Sequence, residues 1–241
     1  MIHYLKKMAT WLLPYTCTFC KNLSDRTQDL CHACLRDLPI LTHSCPRCAN
    51  ILPQQQQNLL CGQCIQTPPP FNETHALFIY HPPITKLILD LKFQHALAHA
   101  RLLGELLTEK IQHIWYQNKP LPTAIVPVPL HAKRLRERGF NQALEIARPI
   151  VKQLKLPMLA MHCIRHKSTH AQAALPAAKR KQNVRRAFSI QRTIDHQHIA
   201  VIDDVITTGS TITEFCHTLK NAGIAKIDVW CCARAEINHV K

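Results

Sequence analysis

Four Cys-x-x-Cys pairs crowd into the first 64 residues: Cys17/Cys20, Cys31/Cys34, Cys45/Cys48 and Cys61/Cys64. Two residues between thiolates let a tight turn aim both sulfurs and several backbone N–H groups at one ion. Two pairs therefore complete a tetrahedral Zn²⁺ site, and eight cysteines make two sites. The short stretches between pairs favour sequential pairing, Cys17/Cys20/Cys31/Cys34 and Cys45/Cys48/Cys61/Cys64. A cross-braced pairing, first with third and second with fourth, uses the same ligands, and spacing leaves it open. A disulfide framework would need an oxidising compartment, and a redox pair would sit beside a βαβ pattern; neither context is present. His32 and His43 find no vacant ligand position beside four complete pairs. Cys163, Cys216, Cys231 and Cys232 stand in apolar surroundings and read as small buried hydrophobes.

A cysteine-rich stretch of about 55 residues has little core of its own, so zinc is expected to supply much of its folding free energy. The chain has 241 residues, enough for one ordinary domain beside it. The run Gln66-Thr-Pro-Pro-Pro70 reads as a stiff linker. The expected organisation is a zinc-binding module over 1–67, a Pro-rich linker over 68–74 and a second domain over 75–241. Within it, strands are expected at 76–80, 124–128, 158–164, 199–202 and 227–232, with helices at 84–91, 97–114, 142–154 and 211–221. Alternating strands and helices predict an α/β fold with a mostly parallel sheet flanked by helices, whose ligands gather at the C-terminal strand ends.

In Ile199-Ala-Val-Ile-Asp203-Asp204-Val-Ile-Thr207-Thr208-Gly209-Ser210-Thr211, an apolar strand delivers two adjacent carboxylates and then turns into a helix. Successive N–H groups and hydroxyls at a helix N-terminus form a phosphate cradle. Carboxylates just before it suit the two hydroxyls of a ribose whose 5′-phosphate lies in that cradle. An ordinary capped turn would explain Thr, Gly and Ser but not the paired acids. Gly209 allows the backbone to come close.

Charge marks a third feature. The chain carries 30 Lys and Arg against 15 Asp and Glu, and residues 131–192 hold 15 of the basic residues against two acidic ones. Such localised excess points to a polyanion. Aromatic residues are only 6% of the chain, and of those in the basic stretch Phe140 and Phe188 read as core. Single-strand binding without many stacking rings should be sequence-independent and strongly salt-dependent. The apolar run near Met8–Leu13 is too short for a signal peptide, and no stretch approaches the length of a membrane span. No membrane insertion is therefore expected, and the protein is expected in the reducing cytoplasm.

Residues 203–211 resemble the phosphoribosyl pyrophosphate (PRPP) signature of type I phosphoribosyltransferases. The run Val126-Pro-Val-Pro-Leu-His131, with Arg134, Arg136, Arg138 and Gly139-Phe-Asn-Gln142, resembles the pyrophosphate-side loop of one branch. The pattern Arg165, Thr169, Gln172, Leu175, Arg180, Asn183 and Phe188 belongs to the same branch. With the cysteine pairs, nearly the whole chain is similar to the ComF/GntX family of competence-associated proteins. The resemblance implies a zinc-ribbon-like module fused to a type I phosphoribosyltransferase-like domain that serves natural transformation and DNA uptake by handling incoming single-stranded DNA. DNA-uptake channel or helicase components are the implied protein partners.

On that resemblance, Asp203 and Asp204 hold the ribose and Thr207, Thr208, Gly209, Ser210 and Thr211 the 5′-phosphate. Val128, Arg134 and Arg138 face the diphosphate, which Mg²⁺ bridges. The expected DNA contacts are Lys133, Arg134, Arg136, Lys179, Arg180, Lys181, Arg185 and Arg186. The alternative is a true phosphoribosyltransferase acting on an unknown nitrogen acceptor, for which no base-recognition segment is discernible.

Overall fold

The structure is a computed structural model and describes residues 14–56, 59–167 and 185–236. They divide into two compact units between Pro39 and Ile40. In the first unit, Cys17 opens a hairpin-like knuckle in which Lys21 N donates to Cys17 O (3.0 Å) and Lys21 takes a left-handed φ of 65°. Cys31 then caps a one-turn helix, α1 (His32–Arg36), that carries Cys34. The second unit opens the same way. Ala49 N donates to Cys45 O (2.8 Å), Ala49 has φ 54°, and Cys61 precedes the short helix α2 (Gly62–Gln66) that carries Cys64. The four pairs are thus a knuckle-and-helix unit used twice.

In the second unit the cysteine segment joins the sheet. Ile40 bridges Phe78, Thr74 donates its backbone N–H to Pro46 O (3.1 Å) and its hydroxyl to Arg47 O (2.7 Å), and Ala49 belongs to the main core.

Among the described residues six strands follow: β1 (Glu73–Ile79), β2 (Ala124–Pro127), β3 (Cys163–Arg165), β4 (Phe188–Ile190), β5 (His198–Ile206) and β6 (Lys226–Arg234). The main sheet is parallel throughout, in the order β1-β6-β5-β2, with Val126 beside Val201 and Asp203 beside Cys231. β5 and β6 are covered on both faces, which is why they read as unbroken apolar runs. The helices are α3 (Ile84–Phe93), α4 (Leu97–Lys110), α5 (Ala132–Arg138), α6 (Gln142–Leu154) and α7 (Ser210–Asn221). Ile212, Phe215, Cys216 and Leu219 of α7 pack on one face of the sheet with Val126, Val201 and Val229. α4 and α6 pack together and also contact strands of the sheet. Gly104 permits that pairing, because a Cβ there would stand 2.3 Å from Ile146 O and from Pro149 Cγ.

The strand expected over 158–164 is different. Met158 makes a single bridge to Ile125, through Ile125 N to Pro157 O (2.9 Å) and Leu159 N to Ile125 O (2.8 Å). The chain then turns away, and only Cys163–Arg165 is extended, paired antiparallel with β4 in a separate ribbon. β5 also runs four residues beyond the apolar stretch, so both aspartates lie inside the strand. The four cysteines outside the pairs are buried. Among the described residues no helix is long and apolar enough to cross a membrane.

Candidate phosphoribosyl site and metal centres

The eight paired cysteines form two groups, Cys17/Cys20/Cys31/Cys34 and Cys45/Cys48/Cys61/Cys64, each with its four sulfurs within 4.8 Å of one another. The pairing is sequential. Sγ–Sγ distances of 3.8 Å (Cys20–Cys31) and 3.6 Å (Cys48–Cys61) match the edge of about 3.8 Å that follows from Zn–S bonds near 2.3 Å. Burial raises the Cys17 thiol, but N–H groups of Cys31, Cys20 and Phe19 outweigh it and bring the thiol down to about 6. A thiolate surrounded by donors is what a Zn²⁺ ion needs. The residues therefore fit two zinc ions.

The paired carboxylates sit at the end of β5, flanked by β6 and β2. Each is held by the chain itself: Asp204 N donates to Asp203 Oδ1 and Val205 N to Asp204 Oδ1, both at 2.9 Å. Asp204 is only 7% exposed and faces Lys92 of α3, with Nζ 2.5 Å from Oδ2. Burial alone would lower Lys92, but Asp204, supported by Asp203, holds its ammonium above the ordinary value. Burial and the adjacent Asp204 charge push Asp203 up to about 8, against the pull of Lys92. Sequence reasoning missed Lys92, because a lysine in an amphipathic helix 112 residues upstream looks like any solvated one.

Past Ile206 the backbone turns through Thr207, Thr208 and Gly209 into α7. Gly209 has φ 79° and its Cβ position is open apart from Ile206 Cγ2 at 3.9 Å, so the left-handed backbone, rather than crowding, demands glycine here. Ser210 N donates to Thr208 Oγ1 (3.4 Å), and the two hydroxyls lie 3.0 Å apart. Arg234, at the end of β6 and 2% exposed, props the loop from beneath: its Nη1 donates to Ile206 O (2.9 Å) and to Thr207 O. Burial lowers this guanidinium, and the thiols of Cys231, Cys48, Cys61 and Cys64 pull the other way. Arg234 thus lies electrically between the second cysteine group and the loop. Cys64, Pro69, Phe71, Ser210 and Arg234 share the wall of one cavity of about 340 Å³. Nothing in the local sequence marks Arg234 out.

The β2 end supplies the other side. Val128 N donates to Ile202 O (2.9 Å), and Val128 O accepts from Asn141 Nδ2 (2.9 Å), which caps α6. Between them α5 carries Lys133, Arg134, Arg136 and Arg138. Burial and then Arg134 lower Arg138, opposed by Asp204; burial and Arg134 also lower Arg165 of β3, opposed by Asp203. Arg134, Arg138 and Arg165 therefore share one electrostatic neighbourhood with the carboxylates. Lys133 and Arg136 are exposed on α5. Arg185 and Arg186 belong elsewhere: Arg185 lines the cavity beside α7, and Arg186 N donates to Glu214 Oε1 (2.5 Å). Lys179, Arg180 and Lys181, with Thr169, Gln172, Leu175 and Asn183, lie outside the described residues. Phe188 is core, its ring tilted against that of Phe215 with centres 4.9 Å apart, whereas Phe140 is partly exposed.

Two domain families match this chain: the double zinc ribbon domain over residues 8–65 and the phosphoribosyl transferase domain over residues 140–238. The chain is therefore a double zinc ribbon joined to a phosphoribosyltransferase-type α/β domain. The DNA utilization protein YhgH of Escherichia coli K12 is 34% identical over 92% of this chain and 98% of its own length. Competence protein F of Haemophilus influenzae is 33% identical over 92% of this chain and 97% of its own. The chain belongs to the family of these two proteins. Among solved structures, the purine phosphoribosyltransferase of Pyrococcus horikoshii aligns at 17% identity over 56% of this chain and 72% of its own, with a TM-score of 0.33.

Proposed function

We propose that the protein binds PRPP and handles single-stranded DNA in the cytoplasm, in the competence or DNA-utilisation role for which its relatives are named. The observation that carries the PRPP reading is the pair Asp203 and Asp204 in the C-terminal half of a central strand, whose end turns through a left-handed glycine into a helix N-terminus. Carboxylates accept from the ribose hydroxyls, while the N–H groups and hydroxyls of 207–211 receive the 5′-phosphate. Lys92 Nζ, 2.5 Å from Asp204 Oδ2, anchors that carboxyl in place. Arg134 and Arg138 hold positive charge where the diphosphate would lie. Mg²⁺ would enter on the diphosphate and offset its charge. The same arginines favour a second reading, transfer to a nitrogen acceptor, because fixed cations stabilise charge growing on a leaving diphosphate.

A titration of labelled single-stranded DNA over a range of salt, with and without Mg²⁺ and PRPP, tests the reading. Binding that weakens steeply with salt and changes when PRPP is added supports it. Measurable PRPP affinity without DNA binding would leave the transferase reading in its place. Absence of PRPP binding would sink both.

A further inference from the structure

At the C-terminus of α3, next to Lys92, Phe93 leaves 62% of its surface exposed. Scattered exposed apolar residues are ordinary, but this ring has company. The Arg138 guanidinium lies 5.5 Å over it, and Arg138 Nη1 is anchored on Gln142 Oε1 at 2.9 Å. Even with this cation over the ring, most of the Phe93 surface stays accessible. Two residues on, His95 has a left-handed φ of 57° and meets Phe140 edge-on, ring centres 5.9 Å apart. Phe93 under Arg138, and the His95–Phe140 pair two residues further along each segment, thus both lie at the C-terminal end of basic α5.

We infer that Phe93, with His95 and Phe140 beside it, is a stacking platform for an unpaired base of a single DNA strand whose phosphates run along the basic residues of α5. The inference rests on the DNA-handling reading above. Lys133, Arg134, Arg136 and Arg138 fall within seven residues that include one acid, Glu137, so the helix complements a phosphate backbone passing the rings. Every base has a π-face, so one ring backed by a guanidinium grips a strand without regard to sequence. The low aromatic content of the basic stretch conceals this, because two of the three rings come from the end of α3 and the turn after it, outside that stretch.

The test compares a labelled thymidine oligonucleotide with a labelled abasic oligonucleotide of the same length, bound to wild type, Phe93→Ala and Phe93→Trp at several salt concentrations. Phe93→Ala should bind the thymidine strand about tenfold more weakly, with unchanged affinity for the abasic strand and an unchanged salt slope. Phe93→Trp should restore binding. Equal affinity of wild type and Phe93→Ala for the thymidine strand overturns the platform while leaving DNA handling intact. So does an equal loss on both strands, which would reveal a purely structural Phe93. If wild type holds neither strand, the DNA reading itself fails, and the platform with it. If thymidine monophosphate binds in a Phe93-dependent way and no strand does, the ring serves a small acceptor and the assignment to DNA is wrong.

Discussion

Lys92 Nζ lies 2.5 Å from Asp204 Oδ2, so an ammonium from α3 neutralises one of two adjacent acids at the end of β5. Breaking a buried pair from one side leaves an uncompensated charge, which costs about 3–5 kcal/mol. Lys92→Met should therefore destabilise the second unit by about that amount in urea unfolding. Adding Asp204→Asn should recover most of the loss, and failure to recover it would mean that Lys92 stabilises through its stem instead.

Asp203 offers a pH test. Its folded pKa, about 8, lies above that of an unfolded aspartate, so the folded state binds the extra proton. Its contribution to stability is complete below the unfolded value, near pH 4, and is lost as pH rises toward 8. Wild type should lose stability relative to Asp203→Asn between pH 5 and pH 8.5, about the range of this titration. PRPP affinity should rise over the same interval, since the ionised acid is the stronger acceptor for a ribose hydroxyl. A stability difference independent of pH would show that Asp203 is already ionised at neutrality.

Arg234→Met removes both donors to the carbonyls of Ile206 and Thr207 while keeping much of the buried volume. Charge-assisted bonds of this kind contribute about 1.5–3 kcal/mol each. The 207–210 amides should exchange faster with solvent and PRPP should bind at least about tenfold more weakly. Unchanged exchange would assign the support of the loop to Ala235 N, which also donates to Ile206 O (2.9 Å).

Elemental analysis should find about two zinc ions per chain. The two are not equivalent. Cys45, Cys61 and Cys64 are buried in the unit that holds the sheet, and Ala49 and Phe71 join its core. Cys64→Ala should lower the unfolding temperature of that unit and weaken PRPP binding, whereas Cys20→Ala should spare both. Equal effects would contradict the division at Pro39.

Replacing exposed Lys133 and Arg136 by Ala should flatten the logarithmic salt dependence of single-strand binding by about 1.4, at about 0.7 per phosphate contact. The same change at Arg185 and Arg186, which lie beside α7, tests whether the strand also passes the cavity there. A slope that neither pair alters would place the DNA away from both.

The cysteine sets and the motif of strand, paired acids and Thr-Gly-Ser turn were legible because each is local. Two residues between thiolates decide a knuckle, and a strand, two acids and a Thr-Gly-Ser turn decide a cradle whatever surrounds them. The helices expected at 84–91 and 142–154 likewise match α3 and α6 closely. Less legible were the elements whose form depends on neighbours. The stretch after Met158 has strand composition, yet the chain makes one bridge to Ile125 and leaves the sheet. Phe140 and Phe188 look alike in sequence, but Phe188 is buried against Phe215 while Phe140 meets His95 edge-on and stays partly exposed.

By itself, then, the chain determined two sets of four cysteines, the alternation of strands and helices that makes an α/β fold, and a strand-acid-acid-turn motif, because each is written in short-range sequence. Tertiary structure decided which cysteines share an ion. It also brought Lys92 to Asp204, Arg234 under the loop and Phe93 beneath Arg138. Those are contacts between residues 28 to 112 positions apart. Charge compensation and packing across such separations follow from how the helices and strands cover one another, which no local pattern of residues records.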